Sequence, residues 1–288
     1  MKKKSFNLFY IPALLLVLFF VAYPFANAFY ISLHKWNGYS ADMTFVGIKN
    51  YVRMFTDAGF YRTLGNTMVY GFASTVLNGI LGLALAVFLN HDFPGRDLVR
   101  TIVYMPVLIS NLIMGYVMYF IFQYDHGALN DLLALFGAGP VDWLSDKTSA
   151  VIIITLVNVW QFVGNSMIIF MAGLQGIPRY YYEAAALDRA SAWQKFTYIT
   201  WPLLLPSTAS AIVLNLIGGL KLYELIVALT GGGPAKGSHS LSTLIANEYF
   251  SSEKAGYAAA LGIFSFLFIM VVANAANGYF RRKEQELS

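Results

Sequence analysis

Six apolar runs, each long enough to cross a lipid bilayer, limit this chain more than any other feature. They lie near residues 6–33, 66–89, 101–123, 148–174, 202–229 and 257–280. Hydrocarbon offers no water, so a spanning segment must satisfy its own backbone, and runs of this length do so as α-helices. The expected fold is all-α: a polytopic integral membrane protein with six transmembrane helices, residues 1–288 forming one transmembrane domain. Charged residues make up 12% of the chain, about half the share in a soluble domain. The absence of cysteine excludes disulfides and thiolate metal sites. The basic residues are scattered between apolar runs, which excludes a nucleic-acid-binding patch.

The first run follows Lys2, Lys3 and Lys4, and Ala26-Asn27-Ala28 resembles a signal-peptidase site. A cleaved signal peptide is therefore the rival reading. The run is about twice the usual length of such a segment, which favours a first transmembrane helix. With six spans both termini share a side. Placing them in the cytoplasm puts 11 Lys and Arg in the inner segments and 8 in the longer outer ones. The density of positive charge then favours cytoplasmic termini.

Residues 177–206, IPRYYYEAAALDRASAWQKFTYITWPLLLP, carry the most specific pattern. Pro178 suits the first position of a helix, where its missing N–H is no loss. No breaker follows from Arg179 to Ala190, and Ala184, Ala185 and Ala186 favour helix. Ser191 with Gln194 reads as a capping box starting a second helix at Ala192. That helix carries Trp193, Phe196 and Tyr198 toward Pro202. The expectation is a helix-turn-helix outside the membrane whose apolar groups need a partner. An amphipathic helix on the membrane surface is the alternative from these residues alone.

Glu183-Ala184-Ala185, then Asp188, Ala190, Phe196, Ile199, Pro202 and Pro206, resemble the EAA loop of ABC-importer permeases. They are most similar to the carbohydrate-uptake branch. TGGGP at 230–234 and GYAAA at 256–260 recur in one permease type of sugar importers, so the resemblance covers most of the chain from the third run onward. It implies a cytoplasmic coupling loop, 177–206, in which Glu183, Ala184, Ala185, Asp188 and Arg189 meet a separate ATPase. It also implies one half of the pore of an ATP-driven importer for a sugar or oligosaccharide, working by alternating access in a prokaryotic cell membrane. The implied partners are a second permease in a heterodimer, a cytoplasmic ATPase dimer and an extracytoplasmic substrate-binding protein. ATP and Mg would bind to the ATPase, leaving this chain without a cofactor. Relatives that carry glycerol phosphates keep that substrate class open. Family members have Gly where this chain has Arg189, a position suited to a helix C-terminal turn at positive φ. An arginine there costs about 1 kcal/mol if the turn is kept.

The remaining segments are plainer. In the first outer loop Lys49 and Arg53, four apart among Tyr51, Val52 and Phe55, predict a short interfacial helix. HDFPGRDLVR at 91–100 reads as a turn around Pro94-Gly95. Pro106 predicts a kink in the third span unless it sits in the first turn of a helix. The TGGGP segment lacks the Gly-Lys-Ser/Thr of a phosphate loop and reads as a flexible turn.

No catalytic constellation is present. His34, His91, His126 and His239 all fall in loops without metal-ligand spacing, which speaks against an enzyme. The spans instead hold neutral polar groups. Asn158, Gln161 and Asn165 share one helical face, with Trp160 beside it. Asn111 and Tyr119, with Ser110 and Tyr116, form a looser set in the third span. Amides and an aromatic face suit a sugar path, because sugars need hydrogen bonds and no counter-charge. The plainer reading is helix–helix contact, which is the expected role of Asn78, Asn215 and Asn274. Lys221 and Glu224 are spaced to pair. A secondary transporter, the alternative from another class, commonly carries intramembrane ionisable groups, and Glu224 near a span boundary is the sole candidate.

The charge count makes a topological prediction. Single cysteines at Lys4, Asp142 and Lys236 should react with an impermeant thiol reagent in intact cells only at the last two. Labelling at position 4, or its loss from the mature chain, overturns the six-span arrangement.

Overall fold

The structure, a computed structural model, describes residues 10–287 of the chain. Lys2, Lys3, Lys4 and the start of the first apolar run lie outside the described residues. Among the described residues two compact units emerge from the internal contacts: residues 10–61 with 244–267, and residues 62–243 with 268–287.

In the first unit a helix, Tyr10–Ser32 (α1), is exposed along its whole apolar length. A two-stranded antiparallel ribbon follows, His34–Lys35 (β1) against Thr44–Phe45 (β2). His34 thus sits in a strand where a loop was expected. The short helix expected in this segment is Lys49–Thr56 (α2). Asn50 fixes α2 by donating to the carbonyls of Ser32 and His34 at 2.8 and 2.9 Å. Phe60 packs edge-on against Phe55 and Phe264, ring centres 5.8 and 5.2 Å away.

The other helices are Ala58–Leu89 (α3), Arg96–Leu108 (α4), Asn111–Phe122 (α5), Ala128–Leu135 (α6), Lys147–Gln175 (α7), Arg179–Leu187 (α8), Ala192–Leu203 (α9), Leu205–Leu220 (α10), Glu224–Thr230 (α11), Leu241–Ala246 (α12) and Ala255–Leu287 (α13). Among the described residues four single helices are long and apolar enough to span, and two bent pairs, α4 with α5 and α9 with α10, bring the total to six where each pair counts as one span. The six apolar runs therefore map onto six candidate spans.

Two of those runs depart from the expected form. The third bends by 100° at Ile109–Ser110, three residues beyond Pro106. Pro106 itself sits in the first turn of a tight helical segment, where a missing N–H costs nothing. The fifth run was expected to continue to residue 229, but α10 stops at Leu220. The chain then turns so that Leu222, Leu225, Ile226 and Leu229 enter a core with Met114, Met118 and Ile154. The four aliphatic side chains gain close packing there, the force that associates helices where lipid already supplies apolar surroundings. Lys221 and Glu224 consequently form no ion pair among the described residues.

The second unit is organised on α7, whose first turn is capped by Asp146. The carboxylate accepts from the Ser149 and Thr148 amides, which hold it below the usual carboxylate range. One apolar cluster gathers on the N-terminal half of α7 around Ile154 and Val157. A second gathers on its C-terminal half, where Met167, Phe170 and Leu174 meet Leu89, Leu204 and Ala211. Between them Asn78 donates to Asn215 Oδ1 at 3.2 Å and Asn215 donates to Ser166 Oγ at 2.8 Å. This chain ties α3, α10 and α7 together, as expected of Asn78 and Asn215. Asn274 differs, since it bonds the Met270 carbonyl of its own helix.

Glycine sets the closest approach. A Cβ on Gly219 would fall on the backbone of Tyr70 and Gly71, whereas one on neighbouring Gly218 meets open space. Gly219→Ala should therefore lower the thermal unfolding temperature of the detergent-solubilised chain by several degrees. Gly218→Ala, which only improves helix propensity by about 0.5–1 kcal/mol, should not lower it. Equal effects of the two substitutions would contradict this packing.

Candidate functional site

The segment after α7 folds as two short helices, α8 and α9, joined by a tight turn. Pro178 is the cap residue preceding α8, one position earlier than expected, with the extended ψ of 134°. The helix ends in a left-handed turn. Arg189 has φ of +57°, its amide bonds the Ala186 carbonyl, and the Ala190 amide reaches back to the Ala185 carbonyl at 2.9 Å. Those two bonds are the paired closure that normally selects glycine. The turn is thus kept in spite of the arginine. Two residues on, Ser191 and Gln194 form the expected capping box, with reciprocal bonds of 3.3 and 2.8 Å.

This hairpin is anchored at its base and bare at its tip. Tyr182 and Ile199 pack against the C-terminal cluster of α7, Ile177 and Leu204 are buried in it, and the Tyr182 hydroxyl meets Thr200 Oγ1 at 2.9 Å. Leu187, Trp193 and Tyr198 are 87, 71 and 79% exposed, which is unusual for large apolar groups. Glu183, Ala184, Asp188 and Arg189 are exposed and Ala185 is half-buried. Glu183 lies in the middle of α8. Its carboxylate therefore lies beyond the first turn, where the helix dipole would have stabilised it. At that start, Tyr181 hydrogen-bonds the Tyr180 phenol and raises its pKa.

The polar face of the fourth span is mostly internal. Gln161 is fully buried, Asn158 is buried and Asn165 half-buried. Gln161 Nε2 donates to the Ile109 carbonyl at 2.9 Å and to Asn111 Oδ1 at 3.1 Å. It therefore closes the backbone exactly where the third span breaks, and brings Asn111 of α5 to α7. Asn111 is half-buried, while Tyr119 on α5 and Trp160 on α7 are 41 and 48% exposed. The buried Gln161 Oε1 has no protein partner.

The segment after α11 was read as a flexible turn, and the structure corrects this. Gly231 and Gly232 adopt φ of 59° and 84°, and Ser238, His239 and Ser240 are buried. Asn66 donates to the Gly237 and His239 carbonyls, Tyr70 to the Ser238 carbonyl, and Thr67 accepts from the Leu241 amide. The missed signal is the set Asn66, Thr67 and Tyr70 on one helical face of α3, facing a hydroxyl-rich segment. Among the described residues no group of three or more His, Asp or Glu stands together as a metal site.

Comparison with known proteins agrees with this architecture. Residues 78–285 match the family described as binding-protein-dependent transport system inner membrane component. The chain is 34% identical over 274 residues to the trehalose/maltose transport system permease protein of Thermococcus litoralis, covering 94% of this chain and 92% of that protein. It is 35% identical over 263 residues to the multiple sugar-binding transport system permease protein of Streptococcus mutans, covering 91 and 90%. Its structure is similar to a chain of a bacterial alginate ABC transporter crystallised with an alginate pentasaccharide-bound periplasmic protein, with TM-score 0.82, 26% identity and coverage of 95 and 93%.

The geometry separates two amides that the sequence places on one face. Gln161→Leu leaves the Ile109 carbonyl and Asn111 without their donor, so it should cost about 1–3 kcal/mol of stability. Asn165→Leu, at a half-buried position, should cost less than about 0.5 kcal/mol. Thermal unfolding in detergent measures both, and a Gln161→Leu variant as stable as the parent would remove Gln161 from this role.

Proposed function

This chain belongs to the family of binding-protein-dependent transport system inner membrane components, and on that premise we propose that it is one half of the membrane pore of an ATP-driven importer for a sugar or oligosaccharide. The saccharides in the names of its relatives support the substrate class. The observation that carries the coupling half of the reading is the hairpin of α8 and α9, rigid at its base and apolar at its tip. A cytoplasmic ATPase dimer covers Leu187, Trp193 and Tyr198 and contacts Glu183, Asp188 and Arg189. ATP and Mg reside on that partner. A second permease subunit completes the pore, and an extracytoplasmic binding protein delivers the substrate. Both termini are cytoplasmic in the inner or plasma membrane, and 1–288 acts as one transmembrane domain with 177–206 as its coupling loop.

The way the hairpin is joined supports alternating access. Leu204, between α9 and α10, is buried against Met171 and Leu174 of α7. Closure of the ATPase displaces the hairpin, and the 66° bend between α9 and α10 passes that displacement to both helices. Asn165, Asn111 and Tyr119 offer partly exposed polar surface to the sugar, and Gln161 holds Asn111 from behind.

The test is graded. Ala185→Trp adds an indole where α8 must lie close to its partner and should abolish co-purification of the ATPase. Glu183→Ala should leave assembly intact but lower uptake per ATP hydrolysed. Arg189→Gly should stabilise the chain by about 1 kcal/mol, since it relieves a left-handed arginine, with little effect on uptake. Normal assembly and uptake in Ala185→Trp would sink the coupling assignment.

A further inference from the structure

The second unit carries an apolar slot walled by α3, α10 and α13, with Phe170 of α7 and Trp201 of α9 completing it. Its volume is about 410 Å3. It follows α3 from Phe72 to Leu83, a rise of about 16 Å. That length is close to one leaflet of the hydrocarbon core, about 15 Å. Spread over it, the volume leaves a section of about 25 Å2, too narrow for a second helix, which is about 10 Å across with its side chains. A single polymethylene chain fits.

The walls ask for nothing polar. Away from the mouth two hydroxyls line the slot, and both are spent on their own helices. Thr75 donates to the Gly71 carbonyl at 2.6 Å and Thr208 to the Leu204 carbonyl at 3.0 Å. Neither water nor a sugar finds a partner there. Gly79 keeps the slot open, since a Cβ on it would meet no atom within 4 Å.

At one end the slot continues into a second cavity of about 450 Å3, with which it shares Trp201, Thr208, Ile212, Tyr279 and Phe280. Trp201 and Tyr279 are 42 and 60% exposed, and rings of this kind favour the membrane–water boundary. Beyond them the lining ends on Lys283 and Glu286, whose charged groups are 3.3 Å apart. An exposed pair of this kind is held by little, so each member can take a new partner. One charge of each sign complements a phosphate next to a primary ammonium. A net-anionic headgroup would meet Glu286 with like charge, and a quaternary ammonium would offer it no N–H.

We propose that the slot is a fixed site for one phosphatidylethanolamine of the surrounding bilayer. An acyl chain fills it from the mouth toward Phe72 and Leu216, the phosphate meets Lys283 and the ammonium meets Glu286. The slot holds the lipid, and the pair selects its headgroup. Trp201 lies on α9 and Thr208 and Ile212 on α10, so the lipid braces the 66° bend that joins the hairpin to the membrane. The inference requires a bilayer around the chain and is independent of what the chain transports.

Native mass spectrometry of the full-length chain tests it, with the chain released from nanodiscs of equal parts phosphatidylethanolamine, phosphatidylcholine and phosphatidylglycerol. One phosphatidylethanolamine should stay bound per chain, several-fold more often than either other lipid. Gly79→Phe should cut that retention to less than half. Gly65→Phe should leave it unchanged, because its added Cβ also meets open space on α3 but outside the slot. Lys283→Gln and Glu286→Gln should keep a lipid bound but lose the preference among headgroups. Thermal unfolding checks that each variant is folded. Equal retention of the three lipids, no retained lipid, or unchanged retention in folded Gly79→Phe overturns the proposal. Should Gly79→Phe not fold, the exposed pair decides alone, and an unchanged headgroup preference in both of its variants overturns it. Pairing with a second copy or a second permease that excludes the lipid, and that Gly79→Phe abolishes, assigns the slot to a protein partner and also overturns it.

Discussion

Within hydrocarbon an unpaired carbonyl has no water to turn to, and the whole second unit is arranged around that constraint. The third span could not bend by 100° unless something replaced the helical bonds lost at Ile109 and Ser110. Gln161 supplies one donor to Ile109, and Ser110 accepts from the Ile113 amide to start α5 again. The bend in turn opens the space into which α11 packs. Gly115 is needed there because a Cβ would come within 2.5 Å of Ala228. One amide on α7 thus makes possible a broken span, and the broken span makes possible the folded-back α11.

Much of this was legible in the sequence, and the physical reason is the length of apolar runs. A run of 20 or more apolar residues has few alternatives to a spanning helix, so six runs became six candidate spans. The helix pair at 177–206 was legible because caps are local: Ser191 and Gln194 act over one turn of chain. What escaped was tertiary. Nothing within a few residues of Leu220 requires α10 to stop there, since the cause is the core formed by Leu222, Leu225 and Ile226 with α5 and α7. The turn at 230–234 was misread for the same reason, since the residues just after it, Gly237 to Leu241, are bonded by Asn66, Thr67 and Tyr70, about 170 residues away. The candidate path residues were readable as a polar face, but not as a buried one. Period alone cannot say which neighbour covers a face.

Arg189 shows how a local rule and a distant demand are reconciled. The left-handed turn costs an arginine about 1 kcal/mol relative to glycine, yet both closing bonds of the turn are formed. The turn is kept because its geometry does more than end a helix. It sets α9 against α8 so that Tyr182 reaches Thr200, and it directs Leu187, Trp193 and Tyr198 outward. A non-glycine side chain in a left-handed turn stands clear of its own helix, where a partner can touch it. If a partner docks on the hairpin, as proposed, covering its exposed apolar tip offsets that small local strain. Burying one large apolar side chain contributes about 1.5–3 kcal/mol, which exceeds the strain of the turn. On the proposed docking, Arg189 adds a charge to an exposed surface otherwise made of alanine and aromatic groups.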